Sequence, residues 1–306
     1  MASEPGGASR EPAAPQEEPS ATNAADGTDF SSQPSPRCKF ELRRLEGRGM
    51  GTFATERIAR GEEVLRETMV LGLTAMGSQV RDAVTGELRD WTDNELEEHL
   101  GARLRQRSAR DQELFWELAD CHAGPDGEKT VTGIVRTNAF PAACSNSDVC
   151  AGVFPRASRL NHSCTPKVHV DFRDDLGALV LHAVADVSPG EELFCSYIRL
   201  HQARDVRRRE LQDYNFVCDC HACSLEGEAL AQSDARRLRL AAVVNALFER
   251  AARAASQAET AQAEPEPSAQ ELLHEGLRIV DEELLGSPAL QAELRALAPP
   301  GRGEPG

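Results

Sequence analysis

Hydrophobic positions change their spacing several times along the chain, and each change predicts a different element. Between 39 and 73, short apolar groups such as Val64-Leu65 and Met69-Val70-Leu71 stand among glycine turns at Gly47, Gly49, Gly51 and Gly61. That is the pattern of short, tightly joined strands. At Thr92 the period becomes helical. Thr92 with Glu95 forms a capping box, and Leu96, Leu100 and Leu104 recur every four residues. Leu114, Phe115 and Leu118 continue that spacing, so 74–130 is predicted to be a helical insert. Alternation returns at Val168, Val170 and Phe172, and Asp174-Asp175-Leu176-Gly177 turns the chain into a hairpin partner at 178–184. A strand at 193–197 follows the turn at Ser188-Pro189-Gly190, and 199–213 reads as helix.

Beyond 224 the chain is helical again. Leu240, Val244, Leu247 and Phe248 share one face, and Leu273, Leu277, Val280 and Leu284 another. A Glu-Pro-rich linker at 256–268 separates them. Residues 1–36 hold almost no bulky apolar side chain, and burial there cannot offset the entropy of ordering, so they are predicted to be a disordered tail. The fold class is α+β.

Composition narrows the function. A net charge of −16 over 306 residues argues against direct nucleic-acid binding and suits a basic protein substrate. The N-terminus lacks an apolar secretory core, and no apolar run reaches membrane-spanning length. Nine cysteines without an even framework fit free thiols and a metal in a reducing compartment. The expectation is a soluble intracellular protein of nucleus or cytoplasm, with no membrane partner.

The cysteines are concentrated where chemistry is expected. Cys218, Cys220 and Cys223 form C-x-C-x-x-C just after Tyr214-Asn215-Phe216. A structural zinc takes four ligands, and this spacing supplies three from one turn. The obvious fourth is Cys164, in Asn161-His162-Ser163-Cys164. Four thiolates leave no open position for water, so the predicted zinc is structural. Gly47, Gly49 and Gly51 do not have dinucleotide-loop spacing and no clear helix follows them, which excludes that reading. The arginines at 103–110 and 204–209 read as solvated helix faces.

Taken in order, these segments resemble the SET-domain protein-lysine methyltransferases. The shared elements are the glycine-rich first turn, Asn161-His162-Ser163-Cys164-Thr165-Pro166, Glu192-Leu193 followed by Tyr197, and Tyr214 to Cys223. The likeness covers roughly 38–72 and 131–224, and the layout is most similar to the SET–MYND subgroup. It implies small, mostly antiparallel sheets with the Asn161-His162-Ser163 segment threaded as a pseudoknot, a rare departure from unknotted chains. The implied divisions are a SET domain at 37–199 interrupted by the insert, a zinc-bound post-SET segment at 200–224, and a helical tail at 225–306.

The same resemblance implies S-adenosylmethionine as cofactor and, as substrate, a lysine of a protein, histone or otherwise. Arg48, Gly49 and Met50 match the first cofactor-contacting turn and Asn138 a second contact. Asn161 and His162 match the pair that grips the cofactor, and Phe216 the aromatic against its adenine. Tyr197 matches the catalytic tyrosine at the methyl-transfer point, in contact with the cofactor. Three features depart from the pattern. Residues 71–135 hold only Cys121, His99 and His122, too few for a MYND finger, and Lys167 stands where the family usually has a second Asn. The tail is also too short for the subgroup's superhelical domain. The alternative function is a catalytically silent SET-like module that binds a protein partner.

Overall fold

The computed structural model describes residues 38–74, 79–81, 88–142, 149–256, 267–285 and 288–297. The expected tail at 1–36 and residues 257–266 of the expected linker lie outside the described residues. The chain opens with an antiparallel hairpin of β1 (Phe40–Leu45) and β2 (Gly49–Ala54), in register from Phe40↔Ala54 to Leu45↔Gly49. Its turn needs left-handed backbone at Gly47 (φ +70°) and Gly49 (φ +75°), where a side chain would be strained. After β3 (Glu63–Glu67) and β4 (Leu71–Thr74) comes a small hairpin, β5 (Gln79–Arg81) with β6 (Leu88–Asp90). The insert is therefore not purely helical, and its helices begin only after that hairpin.

Helix α1 (Asp93–Arg105) starts at Thr92, whose side chain accepts from the Glu95 N–H while Glu95 reaches back to the Thr92 N–H. α2 (Ala109–Glu117) is the second helix of the insert, and α3 (Val131–Asn138) follows directly after the insert's predicted end at 130. Leu100, Leu104, Phe115, Leu118 and Ile134 pack with Leu71 and Val153 into one cluster. That packing fixes the insert against a three-stranded sheet, in which β4 pairs β8 (Val149–Val153) and β8 pairs β7 (Ala139–Pro141).

The centre of the molecule follows. β9 (Asn161–His162) is succeeded by the hairpin of β10 (Val168–Arg173) and β11 (Ala178–Ala183), and β11 takes β3 as its other neighbour. Phe154, Leu160, Leu179, Leu181 and Leu193 are almost wholly buried here. Each such side chain contributes about 1.5–3 kcal/mol on burial. The predicted strand at 193–197 shrinks to β12 (Phe194–Cys195), which pairs β9 in parallel, while the Leu193 N–H donates to the Thr52 carbonyl of β2 at 2.8 Å. All other named pairs are antiparallel.

α4 (Arg204–Glu210) leads to a 3-10 turn at Leu211–Tyr214 and then the cysteine segment. The tail is α5 (Gly227–Ser256), α6 (Ala269–Glu283) and α7 (Pro288–Leu297). Leu240, Val243 and Leu247 face α6, whereas Phe248 is 64% exposed and does not belong to that face. Among the described residues no helix is long and apolar enough to cross a membrane.

Candidate active site and metal centre

The parallel pairing of β9 with β12 governs the site. It sets Asn161 beside Phe194 and His162 beside Cys195, so Tyr197 follows within reach of both. The Tyr197 backbone N–H donates to His162 Nδ1 at 3.0 Å, and the Tyr197 hydroxyl donates to the Leu160 carbonyl at 2.6 Å. With Nδ1 accepting, the neutral ring carries its proton on Nε2, which lies 3.3 Å from Cys164 Sγ. Burial lowers the His162 pKa to about 4 despite the raising effect of nearby Cys220, so the ring is neutral at physiological pH. Desolvation likewise raises both the Tyr197 and Tyr214 phenols, which keep their protons.

A cavity of about 650 Å³ opens on this corner. Arg48, Gly49 and Met50 from the first hairpin form one wall; Asn138, Asn161, His162, Tyr197 and Phe216 contribute the others. Every residue that the sequence suggested for a cofactor therefore lines one space. Both tyrosines of the chain meet here, with ring centroids 4.9 Å apart, and Phe216 lies 6.4 Å from Tyr197, edge to face. His162 is 5.4 Å from Tyr197 and 6.1 Å from Phe216.

The two asparagines are partly occupied by the chain itself. Asn161 Nδ2 donates to the Met50 carbonyl at 3.2 Å and to Glu192 Oε1 at 2.7 Å, while Glu192 Oε2 lies 3.9 Å from the Arg48 guanidinium. Asn138 Nδ2 donates to the Ala119 and Ile134 carbonyls, each at 2.7 Å, which ties the insert to the cavity wall. Sequence reasoning gave no role to Glu192, although it lies in the matched motif. It also missed two further cavity residues, Cys121 from the insert and Thr137 from α3, because nothing local marks them.

Gly51 shows how closely this corner is built. A Cβ there would sit 2.7 Å from Glu192 Oε1 and 2.8 Å from Leu45 Cδ1. Glu192 cannot swing away without releasing Asn161. Gly51→Ala is thus expected to cost about 1–3 kcal/mol, read as a lower denaturation midpoint. An unchanged midpoint would show that Glu192 is not fixed.

Behind the cavity, Cys164, Cys218, Cys220 and Cys223 bring four sulfurs within 4.8 Å of one another, with Cys164 and Cys223 3.6 Å apart. Zinc–sulfur bonds of about 2.3 Å in a tetrahedron require sulfurs about 3.8 Å apart, so the donor set fits zinc. Three of the thiols are buried. Hydrogen bonding to Cys218 and the other thiols pushes Cys164 far up, while accepting from Cys164 pulls Cys220 far down. A divalent cation held by these four residues would favour the thiolate at each of them.

The SET domain family model matches residues 49–198. Residues 49–198 are a SET domain. The match takes in the first-turn glycine, Asn138, Asn161, His162 and Tyr197, and the cysteine segment lies beyond it. The chain is 28% identical over 204 residues to histone-lysine N-methyltransferase set5 of Schizosaccharomyces pombe, covering 66% of this chain and 56% of that one. It is 31% identical over 122 residues to N-lysine methyltransferase SMYD2 of Homo sapiens, covering 38% and 28% respectively. A SMYD2-B protein of Danio rerio is 38% identical over 92 residues, 30% of this chain and 21% of that one. The chain thus spans about half, or less, of the length of these relatives. Lys167, the departure from the SET pattern, is not a cavity residue: its ammonium lies 2.5 Å from Glu191 and donates to the Asp186 carbonyl at 3.1 Å.

Proposed function

We propose that the protein is an S-adenosylmethionine-dependent protein-lysine N-methyltransferase of the nucleus or cytoplasm, with a structural zinc on Cys164, Cys218, Cys220 and Cys223. The observation that carries this reading is the single cavity lined by Arg48, Gly49, Met50, Asn138, Asn161, His162, Tyr197 and Phe216. Its volume lies within the range of about 300–1,000 Å³ usual for cofactor sites. The residue types suit the ligand. Arg48 would hold a carboxylate, the Asn161 carbonyl oxygen an ammonium, and Phe216 the flat face of a base.

When bound, S-adenosylmethionine supplies an electrophilic methyl group on a sulfonium. The chain's own task is to present a neutral amine in line with it. A lysine of pKa about 10.4 is neutral only about 0.04% of the time at pH 7, a cost of roughly 4.6 kcal/mol. Tyr197, Tyr214 and Phe216 make an aromatic, poorly hydrated wall that disfavours the ammonium form. Because Tyr197 spends its proton on the Leu160 carbonyl, the lone pairs of its hydroxyl remain to accept from the reacting centre. The net charge of −16 favours approach of a basic protein segment, a histone among them.

Two measurements test this. Protein extract incubated with the purified protein and isotopically labelled S-adenosylmethionine should yield labelled lysine by mass spectrometry. Absence of any labelled product, with cofactor still bound, would favour the silent module instead. Asn161→Ala is expected to weaken S-adenosylmethionine binding about 10- to 100-fold, since a hydrogen bond to a charged group contributes about 1.5–3 kcal/mol. Calorimetry finding unchanged affinity in a folded variant would reduce the Asn161-His162 segment to a turn and nothing more.

A further inference from the structure

Two arginines near the cysteine cluster are fully buried, Arg207 from α4 and Arg237 from α5. Arg207 directs Nη2 towards Cys223 Sγ at 4.0 Å, and its Nη1 donates to the Gln202 carbonyl. Asp234 lies 3.7 Å away, beyond hydrogen-bond reach, and accepts from the Arg204 backbone N–H. Arg237 donates through Nη2 to the Cys164 carbonyl at 3.2 Å and through Nη1 to the Leu200 carbonyl at 2.7 Å. Its Nε lies 3.4 Å from Glu283 Oε2, out of line for a hydrogen bond, and Glu283 also serves Ser233 and Arg236.

Each guanidinium thus has a carboxylate close by but no hydrogen bond to it. A buried charge paired so loosely is only partly compensated. A negative cluster would supply the rest. Zinc with four thiolates carries a net charge of minus two, and Arg207 and Arg237 supply plus two.

We propose that Arg207 and Arg237 are the counter-ions of a tetrathiolate zinc centre, and that Arg237 makes the C-terminal helices part of it. The inference rests on the reading of the four cysteines as zinc ligands. It gives α5 and α6 a positioning role: they hold the centre, and through Cys164 and the 218–223 segment they hold His162 and Phe216. The sequence offered no sign of this, since Arg237 lies 73 residues from Cys164.

The test uses the full chain, with zinc competed away by a chromogenic chelator. Arg237→Met is expected to lower zinc affinity about 10- to 100-fold, the usual consequence of removing an outer-shell partner. Arg237→Lys, which keeps the charge, should recover most of it. In cobalt-substituted protein, Arg237→Met should move the thiolate charge-transfer band to longer wavelength, since unneutralised thiolates give up electrons more easily. Native affinity and an unmoved band in Arg237→Met would overturn the assignment. Should that variant fail to fold, Glu283→Gln decides the matter: a counter-ion role predicts zinc held as tightly as in the wild type or more so, and weaker zinc overturns it. A wild-type protein purified without zinc would overturn the metal reading itself, a result distinct from an indifferent Arg237 variant in a zinc-replete protein.

Discussion

Cys220→Ser is expected to leave the purified protein without stoichiometric zinc and with a sharply lower unfolding temperature. Apparent binding free energies of structural zinc, about 10–16 kcal/mol, enter folding directly. They match or exceed the whole stability of a typical domain, about 5–15 kcal/mol. Cys220 is a good position for the test because, of the four thiols, it is the one that is not fully buried. The loss should spread to the cavity. Tyr214 and Phe216 stand on the segment that the cysteines tie down, and they pack with Cys164 and Leu211 in one cluster. Cofactor binding should therefore fall together with metal content, although Cys220 does not itself line the cavity. Metal analysis and calorimetry on the same sample check both. Natively purified wild type without zinc would end the metal reading, whereas a Cys220→Ser protein that keeps its zinc would remove only Cys220 from the ligand set.

Tyr197→Phe is expected to slow methyl transfer about 100-fold or more while leaving cofactor affinity nearly intact. A well-placed hydrogen bond contributes about 2.7–4 kcal/mol in a transition state, by analogy with oxyanion-site donors. The variant loses one oxygen and almost no volume. It also frees the Leu160 carbonyl, which accepts from that hydroxyl at 2.6 Å. That contact should cost about 0.5–1.5 kcal/mol of stability, too little to unfold the chain. A fall in kcat at unchanged cofactor Kd places the hydroxyl in the transition state. An active wild type whose Tyr197→Phe form keeps its full rate would leave methyl transfer standing and take Tyr197 out of the mechanism.

Much of the site was legible because its residues stand in short motifs. Cys218, Cys220 and Cys223 lie within one turn, and their spacing alone speaks for a metal. Thr92 and Glu95 mark the start of α1 by local hydrogen bonding, which is the same in any fold. The errors also have local causes. The arginines at 204–209 look like a solvated face, yet Arg207 is wholly buried, because α5 and the thiol cluster cover it. Phe248 sits at helical spacing from Leu240 and Leu247 but faces solvent, since α6 packs along Val243 instead. The insert contains a hairpin, β5 with β6, that hydrophobic spacing did not reveal.

By itself, then, the sequence determined what depends on near neighbours: the caps, the hairpin turns, the three clustered thiols and the candidate ligand pair Asn161-His162. Only the tertiary structure decided what depends on charge and water. It set Asn161 against Glu192, while Cys121 and Thr137 came to line the same cavity. It also enclosed Arg207 and Arg237. The physical reason is that the cost of burying a guanidinium or ionising a thiol is set by the groups packed around it. Those groups come from distant parts of the chain, and no local pattern records them.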